Sequence, residues 1–336
     1  MRNNVWDIAK GVAIVAVVTI HSCGFLNRYE YGSYGSYVGV ILRQFLNFAV
    51  PVFLFISGYL AFNTRQDGYF SFISKRLIRV LPPYLIISFI FILISIVSTR
   101  DFNFFKDVIV GIAFGKAMSV GYFIMVLIQF ILITPLIKRI EKKNTHLITM
   151  ALLTFLGLLY TYITKIYTPD SKLSEFPYSS IAFFVWYPFY HLGFYLSKYQ
   201  TKIALKPIMI LPLIALAVLE SFYINNAGLY VFATSQIKIS SFILSGAICI
   251  YIYNLSKKNI DSKTLRLLGV NSFGIYLIHI LFVKIGTKAA THIGLTNSYP
   301  ILSIILIAMT SLFFSILFIV IVKIALPEKI YKYIIG

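Results

Sequence analysis

The sequence predicts an all-α integral membrane protein, a bundle of about ten transmembrane helices with both termini in the cytoplasm. Three observations carry that prediction. The 336 residues are 59% hydrophobic and only 12% charged, too little charge to cover the surface of a water-soluble domain. Ten apolar runs recur along the chain, most near the roughly 20 residues a helix needs to cross hydrocarbon. Basic residues alternate between rich and poor connections, as the positive-inside rule requires.

The runs fall at 5–23, 38–62, 77–98, 121–138, 147–166, 180–197, 205–225, 236–255, 272–288 and 299–326. Barrel strands would be about half as long and would alternate apolar with polar residues; these runs do not. Residues 5–23 read as a retained first helix rather than a signal peptide, because many spans follow. The ninth run is interrupted by His279 and Lys284. The segment 102–115 is apolar but short, which suggests an interfacial or re-entrant piece.

The connections test the count. One side collects Arg2 with Lys10, Arg65 with Lys75, Arg76 and Arg79, then clusters around Lys138–Lys143, Lys198–Lys206, Lys257–Arg266 and Lys323–Lys332. The other side holds the sparser Arg28, Arg43, Arg100, Lys106, Lys116, Lys165, Lys172, Lys238, Lys284 and Lys288. The net charge of +19 is therefore a matter of topology, not of a basic domain built for nucleic acid. Loops are short and no internal repeat is visible, so residues 1–336 read as a single membrane domain. Cys23 and Cys249 are too few and too isolated for a disulfide framework or a metal site, and no metal is expected.

Titratable groups inside a span are expensive and mark function by default. Asp7 and Lys10 are three apart and share a helix face. His21 lies eleven residues beyond Lys10, about 16 Å further along and on nearly the same face. An imidazole can take a proton from a hydroxyl near neutral pH; the plainer alternative is a snorkelling lysine and a packing histidine. Arg76 and Arg79 share a face at the start of the third run and suit bidentate phosphate contacts, or ordinary anchoring. Ser272, Tyr276 and His279 line one face of the ninth run. Glu220 is a lone carboxyl in the seventh run, fit to orient a histidine or to stay protonated. His146 is expected in a cytoplasmic loop, His191 inside the sixth run and His292 in an outer loop, all structural and without metal spacing.

With these residues in view, the chain resembles the membrane acyltransferase 3 family along nearly its whole length. The matching motifs are Lys10 with His21 after Asp7-Ile-Ala; Val50-Pro51-Val-Phe53-Leu-Phe55-Ile-Ser57-Gly58-Tyr59; Lys75-Arg76-Leu-Ile-Arg79 with Pro82 and Tyr84; and Ser272-Phe-Gly-Ile-Tyr276-Leu-Ile-His279. Many members carry arginine at the position of Lys10, and relatives often show His-Leu-Trp-Phe where this chain has Val120-Gly121-Tyr122-Phe123.

The resemblance implies an O-acyltransferase of the bacterial plasma membrane. It would move an acyl group, most often acetyl from acetyl-CoA, onto a surface polysaccharide or its lipid-linked precursor. It implies His21, Asp7 and Glu220 on the catalytic side, Lys10, Lys75, Arg76 and Arg79 at the acyl-CoA, and Arg43, Ser57, Tyr276 and His279 toward the acceptor. Its partners would be acyl-CoA, glycan and membrane lipid, with no nucleic acid; homo-oligomer formation is left open. A polysaccharide or small-solute exporter of the same fold is the competing expectation.

Overall fold

A computed structural model describes residues 3–64 and 68–336; Arg2 and Arg65, counted above among the cytoplasmic cations, lie outside them. All regular structure among the described residues is helical. The long helices are α1 (Asn4–Ser22), α2 (Tyr34–Leu46), α3 (Ala49–Phe62), α4 (Tyr69–Thr99), α5 (Gly121–Lys138), α6 (Lys143–Tyr162) and α7 (Phe183–Tyr199). They continue with α8 (Ile210–Asn226), α9 (Ile239–Leu255), α10 (Lys263–Val270), α11 (Ser272–His292), α12 (Pro300–Ala325) and α13 (Glu328–Ile335).

Every apolar run read from the sequence folds as helix, the second as α2 plus α3. Among the described residues, eight segments are long and apolar enough to cross a membrane. The runs outside those eight form α7 and α9, of 17 residues each, about 25 Å long and at the lower limit for spanning. Apolar side chains stand open on the helix surfaces, Val97 at 80% and Ile324 at 81%. That is the surface of a multi-pass membrane protein, whose solvent is lipid rather than water. The segment expected to be interfacial folds as a short helical stretch over Phe104–Val110 and Gly111–Ala113.

The chain divides into two compact units, Met1–Ile56 with Thr201–Phe318, and Ser57–Gln200 with Ile319–Gly336. In the first, α1 is capped by Asn3, whose side chain accepts the Val5 N–H at 3.0 Å and satisfies an orphan donor of the first turn. Helix α10 lies along the first half of α1, and α11 follows it along the second. The approach is backbone to backbone: a Cβ on Gly269 would run into the Asp7 carbonyl, and one on Gly11 into the Leu265 carbonyl. Gly269→Ala should therefore prise α10 from α1 and destabilise the protein by about 1–3 kcal/mol. A lowered midpoint of thermal unfolding in detergent is the expected reading. An unchanged midpoint would mean that the seam opens freely.

In the second unit α4 is continuous through Pro82 and Pro83 and packs on α5, while α7 packs against both α5 and α6. Gly58 admits the Tyr190 carbonyl, and the Tyr190 ring stacks on Phe130 at 4.3 Å. Helix α13 packs on α4 and carries a Lys332–Glu328 ion pair of 2.6 Å, which holds the Glu328 carboxyl below the usual carboxylate range.

Candidate active site

In the first unit the sequence-predicted residues separate into two places on α1. Near its start, Lys10 Nζ pairs with Asp7 Oδ1 at 2.7 Å, as their spacing requires. Asp7 is buried under α10 and Lys10 is partly open. His21 lies 14 residues beyond Asp7, about 21 Å along the helix, so the carboxylate does not touch the imidazole. Its work is to hold Lys10.

Around His21 the chain brings together residues far apart in sequence. The His21 and His279 rings lie 5.3 Å apart at 55°. His279 is fully buried, and its Nδ1 contacts the carbonyls of Tyr276 at 2.7 Å and Ile275 at 3.1 Å. Carbonyls only accept, so this nitrogen carries the proton. The Tyr276 ring is 5.8 Å from that of His279. Arg43 donates from Nη1 to the carbonyl of Ile20, the residue before His21, at 3.4 Å.

Behind Arg43 lies a buried polar cluster that sequence reasoning missed. Lys238, read above as one of the sparse outer cations, has no exposed surface. Its ammonium donates to Gln44 Oε1 at 2.9 Å, the Ser235 carbonyl at 2.9 Å and Ser241 Oγ at 3.0 Å, which uses all three of its protons. Asn47 donates to the Ser235 carbonyl at 3.0 Å and to Gln44 Oε1 at 3.3 Å. Glu220 Oε2 accepts the Ser240 N–H at 2.9 Å, so this carboxylate serves the start of α9. The signal was present as Gln44 and Asn47 three apart, and as the polar run from Ser235 to Ser241, but neither points to the other.

The second unit holds the predicted phosphate-binding residues. Lys75, Arg76 and Arg79 line a cavity of about 400 Å³ together with Ser57, Thr64 and Tyr190. Its lining also includes the apolar Leu60, Leu127 and Ile131, so cationic and apolar side chains share one cavity. Arg76 donates to Thr64 Oγ1 at 2.6 Å and lies over the Phe72 ring at 4.6 Å. Lys138 donates to the Thr64 carbonyl at 2.7 Å, fixing the end of α3 beside the cavity. Ser57, expected toward the acceptor, belongs to the arginine cavity.

His146 stands in the first turn of α6 rather than in a loop, fully buried. Its Nδ1 lies 2.7 Å from His191 Nε2, with Lys198 Nζ 3.2 Å from its other nitrogen. The helix begins four residues before the apolar run because its first turn is polar. Among the described residues no group of three or more His, Cys, Asp or Glu side chains could hold a metal ion, and Cys23 and Cys249 are both free and buried.

The family profile described as an acyltransferase domain, Acyl_transf_3, matches residues 3–322. The chain belongs to the acyltransferase 3 family. Among curated members and relatives it is similar to a Staphylococcus aureus protein named "Probable poly-beta-1,6-N-acetyl-D-glucosamine export protein", 24% identical over 308 residues, covering 88% of this chain and 84% of that protein. It is also similar to the Bacillus subtilis protein named "Putative membrane-bound acyltransferase YfiQ", 24% identical over 259 residues, covering 73% of this chain and 70% of that one. No solved structure matches this acyltransferase 3 chain.

Proposed function

We propose that this chain is a membrane O-acyltransferase, an O-acetyltransferase above all, that moves an acyl group from cytosolic acyl-CoA to a hydroxyl of a surface polysaccharide or its lipid-linked precursor. On this reading residues 1–336 form one acyltransferase domain in a bacterial plasma membrane, with ten spans and both ends in the cytoplasm. The observation that carries it is the arginine-lined cavity: two guanidiniums on one helix face in a cavity also lined by Leu60, Leu127 and Ile131 suit a diphosphate with an attached thin chain. Lys75, Arg76 and Arg79 hold the phosphates of acetyl-CoA, with Lys10 as a further cation and Ser57 beside them. His21 is the base, the group in this family chain with the chemistry to deprotonate a sugar hydroxyl.

The step balances without a metal. The acceptor O–H gives its proton to His21, and its oxygen attacks the thioester carbonyl. The C–O bond forms, the C–S bond breaks, and the proton passes to the departing sulfur to give free CoA. Arg43, Tyr276 and His279 stand on the acceptor side. Asp7 and Glu220 act at one remove, Asp7 by holding Lys10 and Glu220 by anchoring the start of α9.

The names of the Staphylococcus relatives favour a second reading, an exporter of polysaccharide. One experiment separates the two. Purified protein is incubated with acetyl-CoA and an oligosaccharide of β-1,6-linked N-acetylglucosamine, and free CoA is measured. Release above background is the expected result; no release, with flux of the oligosaccharide into liposomes lacking CoA, would replace the enzyme with the exporter.

A further inference from the structure

The nitrogen of His279 that does not face its own backbone is unaccounted for. Nδ1–H is committed to the Tyr276 and Ile275 carbonyls, so Nε2 is a bare lone pair on the outward edge of the ring. It is buried and has no hydrogen-bond partner. A buried acceptor left unmade is costly, and a native structure that keeps one asks for an explanation. The His21 ring lies 5.3 Å away between ring centres, close to the 5.0 Å at which the His146 and His191 rings are joined nitrogen to nitrogen, and no hydrogen bond joins the His21 and His279 rings. Unlike His279, His21 keeps part of its surface open. Hydrogen bonds among catalytic groups are commonly long before substrate arrives and tighten in the reacting complex.

We infer that His279 is the positioning residue for His21: its Nε2 accepts an N–H from the His21 ring and thereby leaves the other His21 nitrogen bare for the acceptor hydroxyl. The order is fixed from the backbone outward. The Tyr276 and Ile275 carbonyls accept Nδ1–H of His279; His279 Nε2 accepts N–H of His21; the remaining His21 nitrogen accepts the hydroxyl proton. A carboxylate does this work for the histidine of a serine-protease triad. Here a neutral imidazole does it, and its tautomer is set by two carbonyls of its own helix. No proton leaves His279, which only bonds the imidazolium that forms on its neighbour. The inference rests on the acyl-transfer reading of His21.

The test uses the full chain in lipid nanodiscs and two substitutions. His279→Gln keeps a carbonyl acceptor in place; His279→Leu keeps bulk and removes it. With acetyl-CoA and the β-1,6-linked N-acetylglucosamine oligosaccharide, His279→Leu should lower kcat about 100-fold, the lower end of what a positioned base contributes. His279→Gln should stay within about tenfold of wild type, and the KM for acetyl-CoA should hold in both. Nitrogen-15 NMR of labelled histidines supplies a readout independent of turnover. Wild type should show His279 protonated at Nδ1 and His21 in a single neutral tautomer, and His279→Leu should show His21 in both. A His279→Leu protein with wild-type kcat and an unchanged His21 spectrum overturns the inference while acyl transfer stands. So does a His279→Gln protein as impaired as His279→Leu. Absence of CoA release from wild type, with the two spectra as expected, instead overturns acyl transfer and leaves the histidine pairing intact.

Discussion

His21→Ala is expected to lower acyl transfer by about 10²–10⁴-fold, the contribution of a positioned general base. Acetyl-CoA binding should persist, because the arginine cavity of α4 is built from residues that do not include His21. The measurement is O-acetylation of surface glycan in cells expressing the variant at normal level, together with CoA release from purified protein. A loss of kcat without loss of acetyl-CoA affinity marks an interaction made at the reacting centre rather than in binding. Retained full activity would remove His21 from the chemistry and return it to packing. Removing this imidazole also leaves His279 Nε2 with no neighbour to serve, so the single and double substitutions at positions 21 and 279 should be far from additive.

The second large effect is expected at the arginine cavity. Hydrogen bonds to charged groups contribute about 1.5–3 kcal/mol each, so Arg76→Ala or Arg79→Ala should weaken acetyl-CoA binding roughly 10–100-fold. Arg76→Lys should recover only part of that, since an ammonium keeps the charge and loses the fork. The double alanine variant should fall short of the product of the singles, because both guanidiniums face one cavity and would share one ligand. Titration of detergent-solubilised protein with acetyl-CoA at two salt concentrations reads this directly. An unchanged affinity would leave these arginines as topological anchors alone.

Much of this was legible in the sequence, and the boundary of what was not is physical. Hydrophobic length finds helices reliably, so each apolar run reappears as helix, the second as α2 plus α3. Lys284 interrupts the ninth run without breaking α11 because it stands exposed on the helix surface, where its stem can reach polar surroundings. The second run divides at Asn47, the C-cap of α2, whose side chain donates to the Ser235 carbonyl, 188 residues away. Local pairs such as Asp7 with Lys10 follow from helix geometry. The His21–His279 and Gln44–Lys238 pairs do not, because nothing in a single sequence encodes which distant faces will meet. His146 escaped for the opposite reason: the polar first turn of α6 hides a helix start from any measure of apolar length.

Lys238 carries a consequence for how the chain is made. Its three protons end on acceptors from α2, from the segment before α9 and from α9 itself. Gln44 is synthesised 194 residues earlier, so it must wait for its partner through Ser57–Gln200, the first segment of the second unit. A buried ammonium without acceptors is costly, and Lys238 caps the start of α9, a helix of only 17 residues. Burial of Lys238 at the start of α9 therefore requires that α2 already be in place. A ribosome stalled before residue 238 would hold a nascent protein whose α2 still lacks its ammonium partner, and the order of translation becomes part of how the first unit closes around its buried charge.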